Sequence, residues 1–203
     1  GVTVRPLISR TTTARGSLNP FPQSPFAFPP DLSFDPVTQS SSSAHSDLRV
    51  ALIIPSLDQG GAEKQLCLLA SSLPQHGIQP HVIVLTRDGP LRSKLNDAGV
   101  AIDVIGKRFR ADPTAYFRLR RLLQRTSPTI VHTWLFAANA YGRQAALSVG
   151  VPVVLGSERC VDLWKSPWHF AIDRYLGRRS PAITTNSSGV RDFYQSQGVG
   201  QDR

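Results

Sequence analysis

Hydrophobic residues are distributed unevenly along the chain, and the pattern changes near residue 48. From there on, short apolar runs alternate with segments in which apolar residues recur every three or four positions. Runs of the first kind are typical of strands buried on both faces, and segments of the second kind are typical of amphipathic helices. The strand-like runs are RVALIIP (49–55), PHVIVLT (80–86), VAIDVIG (100–106), TIVHTW (129–134), VPVVLGS (151–157) and AITTNS (182–187).

Helix-like segments separate these runs, and residues suited to helix ends flank them. Asp112 followed by Pro113 predicts an N-cap and a first helical position. Gly77, Gly99 and Gly150 each close a helical pattern. The predicted helices span 61–77, 91–99, 112–128, 137–150, 167–179 and 189–197. This alternation predicts an α/β fold, a Rossmann-like parallel sheet with helices on both faces.

The first 47 residues show neither periodicity. They are rich in proline and serine, as in NPFPQSPFAFPPD and QSSSSAHS, and this composition predicts a disordered tail. Three arginines and no acid in the first thirty residues also fit an organellar transit peptide, so a leader of either kind stays open. We therefore divide the chain into a tail, 1–47, and one α/β domain, 48–203.

Composition excludes several classes of protein. No run approaches the roughly 20 apolar residues that span a bilayer. The two cysteines, Cys67 and Cys160, lack the spacing of a disulfide framework or zinc site, which favours a reducing, cytoplasmic location. Because no metal-ligand motif occurs, we expect neither a metal nor another cofactor.

The formal net charge is +9, and the excess lies after residue 47. Its densest stretch predicts contact with a phosphate-bearing partner, such as a nucleotide or an anionic membrane surface, while a solvated helix face is the alternative. No nucleic-acid-binding module accompanies it, so nucleic acid is not an expected partner. The basic residues concerned are Lys107, Arg108, Arg110, Arg118, Arg121 and Arg125.

Ligands of parallel sheets bind beyond the carboxyl ends of the strands, so residues at those ends are candidates. Gly60 and Gly61 stand between the first strand and the first helix. Backbone N–H groups at a helix N-terminus favour an anion, and glycine allows a phosphate to come close. The stretch matches neither the dinucleotide fingerprint nor the P-loop. A phosphate cradle and a tight turn without a ligand therefore both stay open.

The fourth strand ends in an imidazole and an indole, and the helix after it carries an amide and a guanidinium. These are His132, Trp134, Asn139 and Arg143. Such a mixture suits a sugar or a base, because apolar rings stack while polar tips form hydrogen bonds. A hydrogen-bonded core role for His132 and a packing role for Trp134 are the alternatives.

Two further strand ends carry polar pairs. Glu158 and Arg159 follow the fifth strand and can bind a hydroxyl or phosphate, or can form a surface ion pair with each other. Asn186 and Ser187 follow the sixth strand, where they can contact a ligand or cap the last helix.

Three blocks of the sequence carry a family resemblance. They are RVALIIPSLDQGGAEKQLCLLASSLPQHG, PTIVHTWLFAANAYGRQAALSVGVPVVLGSER and IDRYLGRRSPAITTNSSGVRDFY. In this order they resemble the N-terminal half of the GT4 family of retaining glycosyltransferases, over residues 48 to 200. The resemblance implies GT-B architecture, in which an acceptor-side and a donor-side Rossmann-like domain face each other across a cleft.

The resemblance also implies roles for particular residues. Gly60 and Gly61 approach the donor diphosphate, while His132 to Asn139, Glu158 and Arg159 face the cleft. Two departures are Trp134 and Ala137, since relatives often carry a histidine at one or the other position. The glutamate pair of the donor domain is absent, so we expect a hexosyltransferase half that is inactive without its C-terminal domain. Its partners would be a nucleotide sugar and a glycan or lipid-linked acceptor; a stand-alone module that binds a glycan, an anionic membrane or a partner protein is the alternative.

Overall fold

A computed structural model of the protein describes residues 48–200. The predicted tail, 1–47, and the last three residues lie outside the described residues. Within them, the predicted fold class is confirmed: a six-stranded sheet, parallel throughout, is accompanied by helices. The strand order is β3-β2-β1-β4-β5-β6.

The strands occupy the predicted runs with small changes at their ends. The change that matters for the candidate site concerns the fifth strand, which begins two residues later than predicted and extends one residue further, so that it includes Glu158. The strands are β1 (Leu48–Ser56), β2 (Ile78–Arg87), β3 (Ala101–Val104), β4 (Ile130–Trp134), β5 (Val153–Glu158) and β6 (Ala182–Thr185).

Each predicted helix is present, but the first is shorter than predicted. The pattern predicts one helix over 61–77, whereas the α-helix ends at Ser72 and a 3₁₀ turn covers Leu73–His76. Pro74 explains the change, because proline has no N–H to donate the hydrogen bond that would continue the α-helix. The helices are α1 (Gly61–Ser72), α2 (Arg92–Asp97), α3 (Pro113–Thr126), α4 (Leu135–Ser148), α5 (Pro167–Gly177) and α6 (Ser188–Ser196).

Predicted helix-end residues have the expected geometry. The Asp112 side chain accepts a hydrogen bond from the Ala115 amide, so it caps α3. Gly77, Gly99 and Gly150 have φ angles of 71°, 67° and 73°. That left-handed conformation carries little steric cost for glycine alone, which is why the helical patterns end there.

The sheet buries one apolar layer on each face because successive side chains along a strand point in opposite directions. On one face, Ile53 and Val131 pack with residues of α3 and α4. On the other face, Leu52 and Ile54 pack with residues of α1 and α2. The two layers hold the strands parallel, so the carboxyl ends of all six strands lie at one edge. We call this edge the carboxyl edge.

Candidate functional site

The N-terminus of α1 lies at the carboxyl edge, directly after β1. Gly60 is its N-cap, with an extended backbone, and no side chain caps the first turn. A Cβ built on Gly61 would meet no atom within 4 Å, so the helix start is open to solvent. Amide N–H groups at such an end favour an anion. This geometry permits the predicted phosphate cradle, which stays a prediction.

An acidic side chain already lies at this helix start. A Cβ on Gly60 would stand 2.1 Å from Oε2 of Glu63, which belongs to the first turn of α1. The negative charge of Glu63 therefore offsets part of the positive end of the helix dipole. A phosphate that approached Gly60 would have to displace this carboxylate.

The loop after β1 packs closely against the loop after β2. A Cβ on Gly89 would stand 2.2 Å from the carbonyl oxygen of Leu57, and the Leu91 amide donates to that same oxygen at 3.2 Å. Asp58 accepts hydrogen bonds from Ser56 and Arg87. These contacts fix the chain that leads into Gly60.

The corner between β4 and α4 has an unusual backbone. Leu135 has a φ of 69°, a conformation that costs a branched side chain free energy and that often marks functional sites. The preceding residue, Trp134, is only 2% exposed, and its indole Nε1 has no hydrogen-bond partner. Unpaired buried donors are uncommon in native proteins, so this one needs an explanation.

Arg159 lies beside this indole. Its guanidinium carbon is 3.8 Å from the centre of a Trp134 ring, a cation–π contact. The Arg159 Nε atom is also buried without a hydrogen-bond partner, and burial lowers the pKa of the guanidinium. Two unpaired N–H donors therefore lie on neighbouring strands at the carboxyl edge.

His132 is hydrogen-bonded in the interior, as the alternative to a ligand-binding role predicts. Its Nε2 lies 3.0 Å from Oγ of Ser157, and its ring centre is 5.2 Å from that of Trp134. Burial, together with the charge of Arg159, lowers the pKa of His132 to about 4. The imidazole is therefore neutral at pH 7.

A buried ionic cluster lies beneath the carboxyl edge. The Lys165 ammonium is fully buried and lies 3.5 Å from Glu158, 3.2 Å from Asp162 and 2.9 Å from Asp173. It also donates to the Tyr194 hydroxyl at 2.7 Å, which in turn donates to Asp162. The cluster joins the ends of β5, α5 and α6 through the loop that follows β5.

The cluster also shifts the protonation of its members. Burial raises the pKa of Glu158 to about 7, although Lys165 opposes that shift. Burial alone would lower the pKa of Lys165, but the charges of Glu158 and Asp173 outweigh it and raise that pKa. The ammonium therefore stays charged, while Glu158 is poised to exchange a proton near neutral pH.

Three of the predicted site residues belong to this interior layer and do not face solvent. Asn139 and Arg143 are 0% and 1% exposed, and Glu158 is 2% exposed. Asn139 donates to Glu158 at 2.8 Å, and Arg143 pairs with Asp173 at 3.3 Å. The prediction that they face a cleft is therefore corrected: they point into the layer between the sheet and its helices, where they support the strand ends.

The surface ion pair considered for Glu158 and Arg159 is also not what the structure shows. Glu158, the last residue of β5, turns inward to Lys165, while Arg159, just after the strand, turns to Trp134 on the other face of the sheet. Ser187 caps α6 by accepting a hydrogen bond from the Val190 amide. Asn186 is exposed and donates to the Arg159 carbonyl oxygen, which ties the sixth loop to the fifth.

The basic stretch is partly engaged with the protein itself. Lys107 donates to the Phe109 carbonyl oxygen, and Arg118 donates to the carbonyl oxygens of Ile105 and Gly106. The remaining predicted side chains lie at the exposed surface of α3 and of the loop before it. They are Arg108, Arg110, Arg121 and Arg125.

Sequence patterns did not single out four members of the cluster: Asp162, Lys165, Asp173 and Tyr194. Their separation along the chain hides the contact, and the only local signal is the Asp162–Lys165 pair in an otherwise apolar loop. Within residues 48–200, no group of three or more metal-ligating side chains is arranged around a metal site. No helix in that range is both long and apolar enough to cross a membrane.

Comparison with solved structures identifies the class of fold. Anabaena HepE in complex with UDP and glucose matches with a TM-score of 0.60 and 15% identity, over 74% of this chain and 41% of its own. Acinetobacter baumannii MurG matches with a TM-score of 0.53 and 19% identity, over 70% and 42%. Sucrose-phosphate synthase from Thermosynechococcus elongatus matches with a TM-score of 0.53 and 12% identity, over 75% and 45%.

These proteins are GT-B glycosyltransferases, so the chain has the fold of one Rossmann-like domain of that class. The chain spans only about two fifths of the length of these structures. The chain belongs to Glycosyltransferase Family 4, whose sequence profile matches residues 59–203. A search of curated proteins gives no significant match to the sequence.

Proposed function

We propose that this chain is the acceptor-side domain of a retaining hexosyltransferase that uses a nucleoside diphosphate sugar. The acceptor is a glycan or a lipid-linked molecule. The observation that carries the proposal is the open start of α1 at Gly60 and Gly61, on the carboxyl edge of a chain from Glycosyltransferase Family 4. HepE, which shares the fold, forms a complex with UDP and glucose.

In this proposal the amide N–H groups at the start of α1 donate hydrogen bonds to the donor diphosphate. Negative charge grows on the diphosphate as the sugar leaves, and donors already held in place stabilise that charge. Arg159 adds a cation and an unpaired N–H at the same edge. Asn139, Arg143 and Glu158 would position the strand ends without touching the substrate.

The chain would form one wall of the cleft, and a C-terminal donor domain would form the other. We therefore propose that the 203 residues alone do not catalyse transfer. The reaction requires no metal in this scheme, because the helix N-terminus and Arg159 supply the positive charge. A cytoplasmic location suits the proposal, since nucleotide sugars are the donor.

Nucleotide binding is tested first by NMR with the isotopically labelled product of the reading frame extended beyond Arg203, because the proposed donor domain supplies the other wall of the site. UDP, GDP and ADP and their glucose esters are titrated, and amide shifts are followed. The signals of Gly60 and Gly61 are expected to move most. In the variant Gly61→Ala, the added methyl group points into the space that a phosphate would use, so the affinity should fall about tenfold, a difference of about 1.4 kcal/mol. If no nucleotide moves these amides, the donor site is not here.

Transfer is tested with the product of the reading frame extended beyond Arg203. Mass spectrometry of candidate acceptors identifies a product, and NMR of its anomeric proton reads the stereochemistry. A product whose anomeric configuration is inverted would overturn the retaining mechanism. If the extended protein, with a second α/β domain, transfers no sugar from any nucleotide donor, the transferase proposal fails.

A second candidate function is a stand-alone module that binds an anionic membrane, a glycan or a partner protein. It is favoured by the exposed basic side chains of α3, such as Arg121 and Arg125, which recur at helical spacing. Sedimentation with anionic vesicles tests it, with the variant Arg121→Glu/Arg125→Glu against the control Lys94→Glu on α2. Binding that survives the double variant, or that does not weaken with salt, would exclude this electrostatic contact.

A further inference from the structure

An open apolar groove of about 550 Å³ runs between α3, α4 and α5, on the opposite face of the sheet from α1. Aromatic rings of all three helices line the groove, and Ala140 of α4 and Ala171 of α5 are its small lining residues. Its principal lining residues are Tyr116, Ala140, Tyr141, Trp168, Ile172 and Tyr175. The groove is separate from the predicted phosphate cradle, and the function proposed above does not use it.

The groove leaves large aromatic surfaces in contact with water. Trp168 is 73% exposed and Tyr175 is 49% exposed. Ala140 lies between them and the rings of α3, and its short side chain leaves the space open. Contiguous apolar surface of this kind on a soluble domain usually marks a binding site.

The charges around the groove have a single sign. Between residues 107 and 148 the only acid is Asp112, and between 167 and 181 the only acid is Asp173. Both are buried. Basic groups, in contrast, lie at the groove itself: the Lys107 ammonium is 5.1 Å from the centre of the Tyr141 ring, and the Arg179 guanidinium is 3.7 Å from that of Tyr175.

The groove therefore offers hydrocarbon contact inside and cations at its rim. A ligand that complements both must have an apolar chain and a negatively charged group. We propose that the groove binds the hydrocarbon chain of an anionic lipid, with the lipid phosphate at the cationic rim. Each methylene group removed from water contributes about 0.8 kcal/mol, so a chain that fills the groove has sufficient driving force.

The direction of the helices relates this groove to the carboxyl edge. In a parallel α/β sheet, each helix that follows a strand begins at the carboxyl edge and runs back towards the amino edge. Trp168, in the first turn of α5, therefore marks the end of the groove near that edge, and Tyr175 lies about 10 Å further along the helix axis. Lys107 follows β3 at the carboxyl edge, whereas Arg179 follows the far end of α5. A lipid whose phosphate lies at Lys107 therefore has its polar end near the edge where the sugar donor is proposed to bind. This inference rests on the proposed function and narrows its acceptor to the lipid-linked class.

The experiment measures binding of decyl phosphate to the full chain by isothermal titration calorimetry, below the micelle concentration. Wild-type chain is expected to bind decyl phosphate and not inorganic phosphate. In the variant Ala140→Phe, the new ring fills the groove, so the affinity should fall at least about tenfold. The control Ser71→Phe places the same ring on the exposed side of α1, on the other face, and should bind like wild type.

Further variants distinguish contacts with the hydrocarbon chain of the ligand from contacts with its phosphate. Trp168→Ala should weaken decyl phosphate binding, whereas Leu68→Ala, an exposed apolar residue of α1, should not. Lys107→Gln should weaken binding of decyl phosphate more than that of the uncharged decyl glucoside, whereas Arg179→Gln, at the far end of the groove, should affect the two ligands alike. Circular dichroism tests whether each variant is folded. If a groove variant does not fold, Ile172→Ala takes its place, because it removes a smaller part of the groove lining and should still weaken decyl phosphate binding.

The outcomes are distinct. Equal binding by wild type and Ala140→Phe would overturn the groove assignment, and so would binding of inorganic phosphate as strong as that of decyl phosphate. If wild type binds no alkyl phosphate, the lipid proposal is wrong and the groove is left to a protein partner. UDP titration of the protein extended beyond Arg203 keeps the two tests distinguishable. If the extended protein binds no UDP, the donor proposal fails, whereas if the wild-type chain fails only to bind decyl phosphate, only the groove assignment fails.

Discussion

Glycines at the carboxyl edge differ in what an added methyl group would meet. At Gly89 a Cβ would lie 2.2 Å from the Leu57 carbonyl oxygen, which is backbone and cannot swing away. At Gly61 a Cβ would meet nothing within 4 Å. The two positions look alike in the sequence, since each follows a strand. Packing requires a glycine at position 89 but not at position 61.

Gly89→Ala is therefore expected to destabilise the chain by about 2 kcal/mol or more, because the loops after β1 and β2 must separate. Gly61→Ala should instead stabilise it by about 0.5 kcal/mol, because alanine favours the helical conformation. Urea unfolding followed by circular dichroism measures both. Equal midpoints for wild type and Gly89→Ala would show that the close approach to Leu57 is wrong.

Glu158 should give the stability of the chain a specific pH dependence. Its pKa is about 7 in the folded chain against an ordinary value of 4.5, so its contribution is fully present below 4.5 and is lost as the pH rises through about 7. Glu158→Gln cannot ionise and keeps an acceptor for Asn139. Relative to this variant, wild type should become steadily less stable between those two pH values in urea unfolding. Parallel pH curves for the two proteins would contradict the raised pKa.

At the scale of elements, the loop between β5 and α5 is shaped by its buried cation. Lys165 gathers the carboxylates of Glu158, Asp162 and Asp173, while Asp162 also accepts hydrogen bonds from Cys160 and Trp164 within the loop. The backbone of a loop seldom has such interior support. Here it fixes the segment that carries Arg159 and leads to Trp168.

Lys165→Met should cost about 3–5 kcal/mol of stability, because it leaves Glu158 and Asp162 without a cation and leaves Asp173 with Arg143 alone. Lys94→Met, at an exposed position of α2, is the matched control and should change stability little. The deficit of Lys165→Met should shrink in mild acid, where the carboxyl groups take up protons. Urea unfolding at several pH values measures this, and a deficit that does not depend on pH would mean that the carboxylates are not the cause.

Element boundaries show how far local signals reach. Asp112 and Gly150 act through their own backbone or the adjacent turn, so capping rules locate these helix ends correctly. The prediction that the first helix runs to Gly77 is wrong, because Pro74 cannot donate the next α-helical hydrogen bond and Gly77 instead closes the 3₁₀ turn. The start of α4 at Leu135 could not be predicted, since a left-handed leucine is not expected from any local rule.

At the scale of the whole molecule, the described residues form the packed layers that stabilise the fold. Both apolar layers, the ion cluster and the aromatic groove are formed by residues 48–200. The basic excess of the chain falls in the same region, which is why salt-dependent contacts with anions are expected of this domain. Residues 1–47 carry no net charge.

A chain that lacks residues 1–47 is therefore expected to unfold at the same urea midpoint as the full chain. Removal of residues 188–203 should instead unfold the protein or lower the midpoint strongly, because Tyr194 of α6 completes the ion cluster. Circular dichroism and urea titration measure both. A loss of more than about 1 kcal/mol on removing 1–47 would place stabilising contacts in the tail and shift the predicted domain boundary.

The sequence by itself determined the class of fold, the order of the elements and the family, because these depend on periodicity and on motifs read along one chain. Tertiary structure alone decided which polar residues are available to a ligand. Glu158 and Arg159 are neighbours in sequence but point to opposite faces, and Glu158 reaches Lys165 only because the loop folds back. The groove likewise forms only where three helices meet. The sequence pattern of one helix does not show whether the side chains of the neighbouring helices fill the space between them.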